Sequence, residues 1–300
     1  MNIFEAVILG IIQGLTEFLP VSSSGHLALT RALTGIDVEG DLLMAFDVLL
    51  HVATLIPVCI IFRKTIFDLI KNPFQKTTLF LIIGTVPTVI AALVFRNQID
   101  FLFSGAYWFL AITFTITGVI LLFADWAAGR AAKNSVNSSH SGEKTVDTMT
   151  WKDAAIIGCA QAFAIPPGIS RSGTTIAASL GLKFSREEAA KFIFLLSIPA
   201  IIGGSVLEVA NLITRDAGLF TGINPIAIIM GFIAAALSGY LAIRFFLALI
   251  KKARLRYFSI YVFALALFIA VDMLALNGRF LSNSPRIETA VQYESNMGAY

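Results

Sequence analysis

The chain carries two copies of one polar motif, 148 positions apart, within a sequence that is otherwise largely apolar. Each copy starts in an apolar stretch of helical character, breaks at proline and continues into a turn rich in serine and glycine. Broken apolar segments at corresponding places in two halves of a membrane protein indicate its binding site. The positions that recur are Gly10/Gly158, Gln13/Gln161, Ser22/Ser170, Ser24/Ser172 and Gly25/Gly173.

The composition is that of a membrane protein. Of the 300 residues, 57% are hydrophobic and 14% are charged, which is more apolar surface than a soluble domain can bury. Six stretches are long enough to cross about 30 Å of hydrocarbon, and the last three follow the first three at nearly the same offset as the motif. They are residues 42–62, 77–95, 106–125, 189–211, 225–250 and 256–276.

The duplication predicts an all-α polytopic membrane protein made of two inverted repeats. Each repeat is a re-entrant helical hairpin followed by three transmembrane helices. The predicted divisions are a first repeat at 1–125 with its hairpin at 3–30, a polar cytoplasmic linker at 126–152, a second repeat at 153–276 with its hairpin at 153–180, and a polar tail at 277–300.

The distribution of lysine and arginine supports this topology. If both motif segments are re-entrant, the loops on one side carry 14 basic residues and those on the other side carry 5. If the second motif segment crossed instead, the division would be 11 to 8, so the positive-inside rule favours a re-entrant second hairpin. Loop charge does not decide the first hairpin, for which the prediction depends on the repeat.

Three crossings in each half invert the halves relative to each other. The first hairpin then enters from outside and the second from the cytoplasm, and both chain termini are predicted to be periplasmic. Irregular backbone deep in a bilayer is tolerated only where it is buried in protein or lines a wet cavity. The meeting point of the two hairpin tips is therefore the predicted site.

The first motif places a carboxylate, Glu17, in an apolar segment that is predicted to lie in the membrane. A charge there costs about 2.5–3.5 kcal/mol on insertion scales. Gln13 and Glu17 are four residues apart and share a helix face, and Ser23 and His26 follow beyond the proline. These groups can bind a metal, transfer a proton or supply a nucleophile. The alternative is structural, with Glu17 as a helix-end charge and the serines as caps.

The second motif places Arg171 in a turn of proline, glycine and serine. A guanidinium matches the geometry of phosphate, and glycine-rich turns at helix starts bind anions. The alternative is that Arg171 only pairs with Glu17, and the two roles are compatible in different states. The sequence also leaves open whether Asp47 and His51, four residues apart, face the site or form a structural pair.

Two features exclude other classes. The net charge of +3 is small and the basic residues fall in loops, which argues against a nucleic-acid partner. The two cysteines, Cys59 and Cys159, lie in apolar stretches without metal-finger spacing, and we expect them to be inert.

The motifs resemble those of a known family. The string from Gln13 to His26 resembles the Glu/Gln-x-x-x-Glu region of the undecaprenyl-diphosphate phosphatases, the bacitracin-resistance family of bacterial inner membranes. Residues 167–175 resemble that family's Pro-Gly-x-Ser-Arg-Ser-Gly-x-Thr signature, and the resemblance covers about residues 3–276. It implies hydrolysis of undecaprenyl diphosphate, a polyprenyl diphosphate lipid, to undecaprenyl phosphate and phosphate. This reaction recycles the carrier for cell-wall synthesis and is linked to bacitracin resistance.

The resemblance also implies roles for individual residues and a divalent metal, Mg²⁺ or Ca²⁺. Glu17 is the implied metal ligand, and Gln13 excludes a second carboxylate ligand on that helix. Asp47 stands where many members have glutamate and is a supporting residue. The nucleophile remains open among Ser23, His26 and water. The implied catalytic residues are Glu17, Ser23, His26 and Arg171, and the implied substrate contacts are Gln13, Ser170, Arg171, Ser172, Gly173 and Thr175.

A rival hypothesis is a transporter or flippase for a phosphate-bearing lipid or anion, because inverted repeats with broken helices are a transporter architecture. The convergence of carboxylate, hydroxyl, imidazole and guanidinium groups favours an enzyme. The sequence leaves a homodimer open alongside a monomer.

Overall fold

The computed structural model describes residues 1–36, 40–95, 107–137, 143–214, 224–251, 254–276, 278 and 280–281, without the side chains of 131–137. Over these ranges the chain forms eleven helices and, apart from one isolated bridge between Lys144 and Phe184, no β-structure. The helices are α1 Ile3–Phe18, α2 Ser23–Thr34, α3 Gly40–Ile61, α4 Arg63–Lys71, α5 Lys76–Val94, α6 Trp108–Asn137, α7 Trp151–Phe163, α8 Arg171–Gly181, α9 Arg186–Thr214, α10 Pro225–Ile250 and α11 Arg256–Ala275.

Six of these helices are long and apolar enough to cross a membrane: α3, α5, α6, α9, α10 and α11. They coincide with the six predicted stretches, so the prediction of an all-helical, multi-pass membrane protein is confirmed. The inverted orientation of the two halves stays a prediction.

The polar segment between the halves is structured at both of its described ends. Helix α6 continues to Asn137 through an alanine-rich stretch, and alanine is the strongest helix former. Near the other end, Lys144 donates from Nζ to Asp153 at 2.7 Å, and the Val146 amide donates to Glu188 at 3.1 Å. Residues 138–142, and most of the predicted tail 277–300, lie outside the described residues.

Helix α4 lies between the first two predicted spans, 42–62 and 77–95, where the sequence predicted no helix. It is short and amphipathic, with Phe67 and Ile70 exposed beside basic residues at its ends. It was not predicted because a helix of nine residues is far shorter than a membrane span.

The two motif segments form interrupted helices. Helix α1 has 16 residues and α2 has 12, while α7 has 13 and α8 has 11. A 16-residue helix is only about 24 Å long, and spanning the bilayer takes about 20 residues. These lengths are consistent with the re-entrant hairpins that the sequence predicts.

The duplication is visible in how the interrupted helices begin. Helix α1 starts with a capping box in which Asn2 and Glu5 bond each other's backbone amides. Helix α7 starts with the same arrangement between Thr150 and Asp153, at the same 148-residue offset as the motif. A capping box satisfies amides that a helix start leaves unpaired, so both hairpins have equivalent entry points.

Each hairpin helix packs against the second span of the opposite half. Helix α1 crosses α10 where a Cβ on Gly10 would collide with the carbonyl oxygen of Gly231. Helix α7 crosses α5 where a Cβ on Gly158 would collide with the carbonyl of Gly84. Small residues allow this close approach in membrane helices. The halves are therefore interlocked, and this brings the two interruptions together.

Candidate functional site

Glu17, at the end of α1, is the centre of the polar cluster. Its side chain is only 3% exposed. It accepts hydrogen bonds from Gln13 Nε2 at 3.0 Å and Ser23 Oγ at 2.6 Å, and it forms an ion pair with Arg171. A buried carboxylate requires such compensation, so the structure brings together four residues that the sequence predicts for the site.

The two interruptions meet at this cluster. Arg171 is the first residue of α8, and its Nη2 contacts Glu17 Oε1. Beside it, Ser172 Oγ donates at 2.9 Å to the carbonyl of Leu19, the residue that directly follows α1. The Arg171 side chain is 26% exposed, compared with 3% for Glu17, so Arg171 is the more accessible member of the pair.

Gln13 has one buried oxygen that is unsatisfied. Its Nε2 donates to Glu17, which leaves Oε1 buried and without a hydrogen-bond partner among the described residues. Leaving a buried acceptor unpaired costs about 1–3 kcal/mol. Carboxylate and amide oxygens are ligands that Mg²⁺ and Ca²⁺ prefer, so Glu17 with Gln13 Oε1 is a donor set that fits a hard cation. Within the described part of the chain, no three His, Cys, Asp or Glu residues converge.

The backbone is strained where it enters α2. Ser22 has φ 72° and ψ 103°, which a non-glycine residue adopts at a cost of about 1–3 kcal/mol. Its hydroxyl accepts from the Gly25 amide at 3.4 Å and caps α2. This turn makes Ser23 the first residue of α2 and places its hydroxyl against Glu17.

His26 is buried but does not contact Glu17. Its Nδ1 lies 2.7 Å from the Ser22 carbonyl, which only accepts, so Nδ1 carries a proton. Its Nε2 lies 2.8 Å from the hydroxyl of Tyr261 in α11, and the two rings stack at 5.6 Å. Both ring nitrogens are therefore engaged. Sequence analysis missed Tyr261, which belongs to no motif.

The other predicted residues of the second motif build the start of α8. Ser170 caps this helix by accepting from the Gly173 amide at 3.1 Å, and Thr175 Oγ1 donates to the Arg171 carbonyl at 2.7 Å. The Ser170 amide donates to Thr117 Oγ1 in α6 at 3.0 Å. Together these bonds fix the position of Arg171. Thr117 was also missed, because a lone threonine in a span carries no sequence signal.

The side chains of Asp47 and His51 have different partners in the structure. Asp47 forms an ion pair with Arg31 of α2. His51 donates from Nδ1 to the Asp47 carbonyl at 2.7 Å, and its Nε2 lies 3.7 Å from Glu17 Oε2. Of the two residues that the sequence left open, His51 thus faces the cluster.

The two copies of the motif have diverged in their chemistry. Gln161, the counterpart of Gln13, donates to Thr88 of α5 at 3.0 Å instead of joining the cluster. Ile165 occupies the position equivalent to Glu17, and Ser23 and Arg171 occupy equivalent positions at the starts of α2 and α8. The site is therefore assembled from both halves, but asymmetrically.

Six candidate spans accompany two interrupted helices, and a carboxylate, a guanidinium and a hydroxyl come together where the interruptions meet. These features define a polytopic membrane protein with a polar site inside its helical bundle. The chain belongs to the family described as bacitracin resistance protein BacA, whose model matches residues 6–268. The family resemblance inferred from the motifs is thereby confirmed.

Curated relatives cover nearly the whole chain. An undecaprenyl-diphosphatase of Carboxydothermus hydrogenoformans is 46% identical over 272 residues, which is 90% of this chain and 97% of that protein. Undecaprenyl-diphosphatase 4 of Bacillus thuringiensis is 43% identical, covering 90% of this chain and 96% of that protein. An undecaprenyl-diphosphatase of Methanobrevibacter smithii is 38% identical, covering 87% and 94% respectively.

Proposed function

We propose that this chain is an undecaprenyl-diphosphatase that hydrolyses undecaprenyl diphosphate to undecaprenyl phosphate and phosphate. It thereby recycles the lipid carrier of cell-wall synthesis and contributes to bacitracin resistance. The relatives that carry this name span nearly the full chain. The observation that carries the proposal is the cluster of Glu17, Ser23 and Arg171 at the meeting point of the two interruptions.

The proposed location is the bacterial inner membrane, with both termini on the periplasmic side. The excess of basic residues in the loops of the opposite side supports this orientation. A homodimer stays a prediction.

Arg171 is the proposed phosphate-binding residue. Its guanidinium offers five N–H donors in a planar fork, and it is the partly exposed member of the ion pair with Glu17. The bonds around Ser170 and Thr175 hold the start of α8 in place, so the guanidinium is positioned before the substrate arrives. A diphosphate bound there shares Arg171 with Glu17 and adds to the negative charge of the site.

Ser23 is the proposed nucleophile. Its hydroxyl donates to Glu17 Oε2 at 2.6 Å, and a serine is activated by an adjacent base. The Ser23 oxygen bonds to the terminal phosphorus while the bond from that phosphorus to the bridging oxygen breaks, and undecaprenyl phosphate leaves. The hydroxyl proton passes to Glu17. The oxygen of a water molecule then bonds to the phosphorus of the phosphoserine while the bond from that phosphorus to the Ser23 oxygen breaks. Glu17 returns its proton to the Ser23 oxygen, and phosphate leaves with the protons of the water.

His26 is proposed as neither the nucleophile nor the base. Both of its ring nitrogens are engaged, by the Ser22 carbonyl and the Tyr261 hydroxyl. It holds the strained turn that presents Ser23.

A divalent cation, Mg²⁺ or Ca²⁺, is the proposed cofactor, and Glu17 and Gln13 Oε1 are the residues that would hold it. The unsatisfied Gln13 oxygen supports this assignment. When bound, such an ion supplies charge neutralisation of the phosphoryl oxygens.

The direct test is phosphate release from undecaprenyl diphosphate by detergent-purified protein, before and after chelation with EDTA. We expect release that stops with EDTA and returns when Mg²⁺ or Ca²⁺ is added. Release that EDTA does not change would overturn the metal assignment alone. Folded protein that binds the lipid without releasing phosphate would overturn the phosphatase and favour the transporter or flippase.

Replacing the proposed nucleophile gives a separate prediction. We expect Ser23→Ala to lower kcat by about 10³-fold or more, as removal of a catalytic nucleophile does, and to prevent phosphate labelling of the protein. Ser24→Ala is the matched control, because Ser24 contacts the cap Ser22 at 3.4 Å and not Glu17. Full activity of Ser23→Ala would exclude Ser23 as the nucleophile and leave His26 or water.

A further inference from the structure

Tyr261 of α11 contacts the first hairpin, although it belongs to neither motif. Its hydroxyl lies 2.8 Å from His26 Nε2, and the two rings stack with their centroids 5.6 Å apart. The His26 Nδ1 carries a proton, because it lies 2.7 Å from a carbonyl oxygen that only accepts. In the neutral ring that burial favours, Nε2 is then a bare acceptor, so the Tyr261 hydroxyl donates to it.

The imidazole holds the peptide bond that leads into Ser23. The Ser22 carbonyl oxygen accepts from His26 twice, from Nδ1 at 2.7 Å and from the backbone amide at 3.2 Å. Ser22 has φ 72°, a conformation that persists only where surrounding contacts enforce it. The bond from Tyr261 is such a contact, because an imidazole held at one nitrogen alone can still turn about its broad χ2 torsion.

Helices α6 and α11 together hold the turns of both hairpins. Ser259, two residues before Tyr261, donates from Oγ to the carbonyl of Gly118 in α6 at 2.7 Å. Thr117, next to Gly118, accepts from the Ser170 amide in the second turn at 3.0 Å. The hydroxyl of the first turn and the guanidinium of the second are therefore positioned from the same pair of helices.

We propose that Tyr261 is a positioning residue for phosphate release. This assignment rests on the proposed function. The Tyr261 hydroxyl keeps His26 in the orientation that fixes the turn and holds Ser23 against Glu17, where Ser23 Oγ lies 2.6 Å from Oε2. Correct placement of a reacting group accelerates a reaction, and Tyr261 acts through His26 rather than on the substrate.

Tyr261→Phe is the first test, because it keeps the stacked ring and removes only the hydroxyl. We expect kcat for undecaprenyl diphosphate to fall about tenfold, the size of effect that an unpaired buried acceptor produces. KM should not change, because Arg171 holds the diphosphate from the second hairpin. Tyr257→Phe is the matched control on α11, since the Tyr257 ring lies 5.6 Å from the guanidinium of Arg256, and it should keep both constants. Each variant is assayed well below its unfolding temperature.

His26→Gln tests whether Tyr261 acts through the imidazole. Residues that act as a unit are non-additive, so adding Tyr261→Phe to His26→Gln should lower kcat no further. Losses that multiply in the double variant would mean that Tyr261 acts independently of His26, and would overturn the proposal.

Nitrogen-15 NMR of the histidines gives a readout that packing alone does not move. The chain has three histidines, and the His26 signals are those that His26→Gln removes. In Tyr261→Phe we expect the Nε2 signal to move to that of a bare nitrogen accepting no hydrogen bond, and the Nδ1 proton to exchange faster with solvent. The signals of His51 in the same sample should stay in place. Unchanged His26 signals would overturn the proposal.

The kinetic outcomes separate this proposal from the proposed function. Normal kcat in Tyr261→Phe, with phosphate release by the wild type, would overturn the positioning role and keep the phosphatase. A raised KM with unchanged kcat would mean that the Tyr261 hydroxyl contacts the substrate, which also overturns the positioning role. No release by the wild type would overturn the phosphatase, and the His26 signals would then decide whether Tyr261 fixes the imidazole.

Discussion

Phosphate release should fall by about 10³–10⁵-fold in Arg171→Ala, the range found when an arginine is removed from a phosphoryl-transfer site. Glu17→Ala should lose a similar factor, because Glu17 accepts from Ser23 and pairs with Arg171. The double variant should be no slower than the slower single variant, since residues that act as a unit are strongly non-additive. The measurement is kcat/KM for undecaprenyl diphosphate in all four combinations.

A control separates catalysis from stability. Breaking a buried ion pair by removing one partner costs about 3–5 kcal/mol, so each single variant should also lower the unfolding temperature. Asp153→Asn breaks the ion pair between Asp153 and Lys144. The Asp153 side chain is 5% exposed, about as buried as that of Glu17, but it lies away from the cluster. We expect Asp153→Asn to keep phosphate release.

The double variant also has an outcome that would contradict the prediction. Losses in kcat/KM that multiply in this variant would mean that Glu17 and Arg171 act in separate steps.

Gly158→Ala should destabilise the fold by about 3 kcal/mol, the upper end of the usual cost of overpacking. The added Cβ would collide with the carbonyl of Gly84, and backbone does not move aside as a flexible side chain does. Gly10→Ala should lower the stability by a similar amount, because its Cβ would collide with the carbonyl of Gly231. The measurement is the unfolding free energy in a fixed detergent.

The matched control for this prediction lies in α9. Gly203→Ala adds the same methyl group where no atom lies within 4 Å, and alanine in a helix is favoured over glycine by about 0.5–1 kcal/mol. It should be neutral or slightly stabilising. If Gly158→Ala were as stable as Gly203→Ala, the α5–α7 crossing would be wider than the structure shows.

The parts of the fold that sequence predicted depend on patterns that repeat along the chain. Hydropathy located the spans, and the repeat predicted that Glu17 and Arg171 meet although 154 positions separate them. Both signals are physical: apolar length must match the bilayer, and equivalent segments fold alike. The close approach of α7 to Gly84 was not predicted, because a glycine in an apolar span does not indicate which helix packs against it.

The side-chain partners in the site were less predictable. His26 and Tyr261 are 235 positions apart, and no local spacing links an imidazole in a hairpin to a phenol in a distant span. His51 and Asp47 share a helix face, so sequence could not tell which one faces Glu17. That distinction depends on where Arg31 of α2 lies, which only the packed structure supplies.

The asymmetry between the two motif copies has an evolutionary consequence. Two first halves joined as a homodimer would bring two carboxylates together without a guanidinium, and two second halves would bring two guanidinium groups together without a carboxylate. Like charges buried side by side disfavour each other. Because Glu17 lies in the first copy and Arg171 in the second, neither half carries the site by itself. A chain that keeps this site must therefore keep both halves.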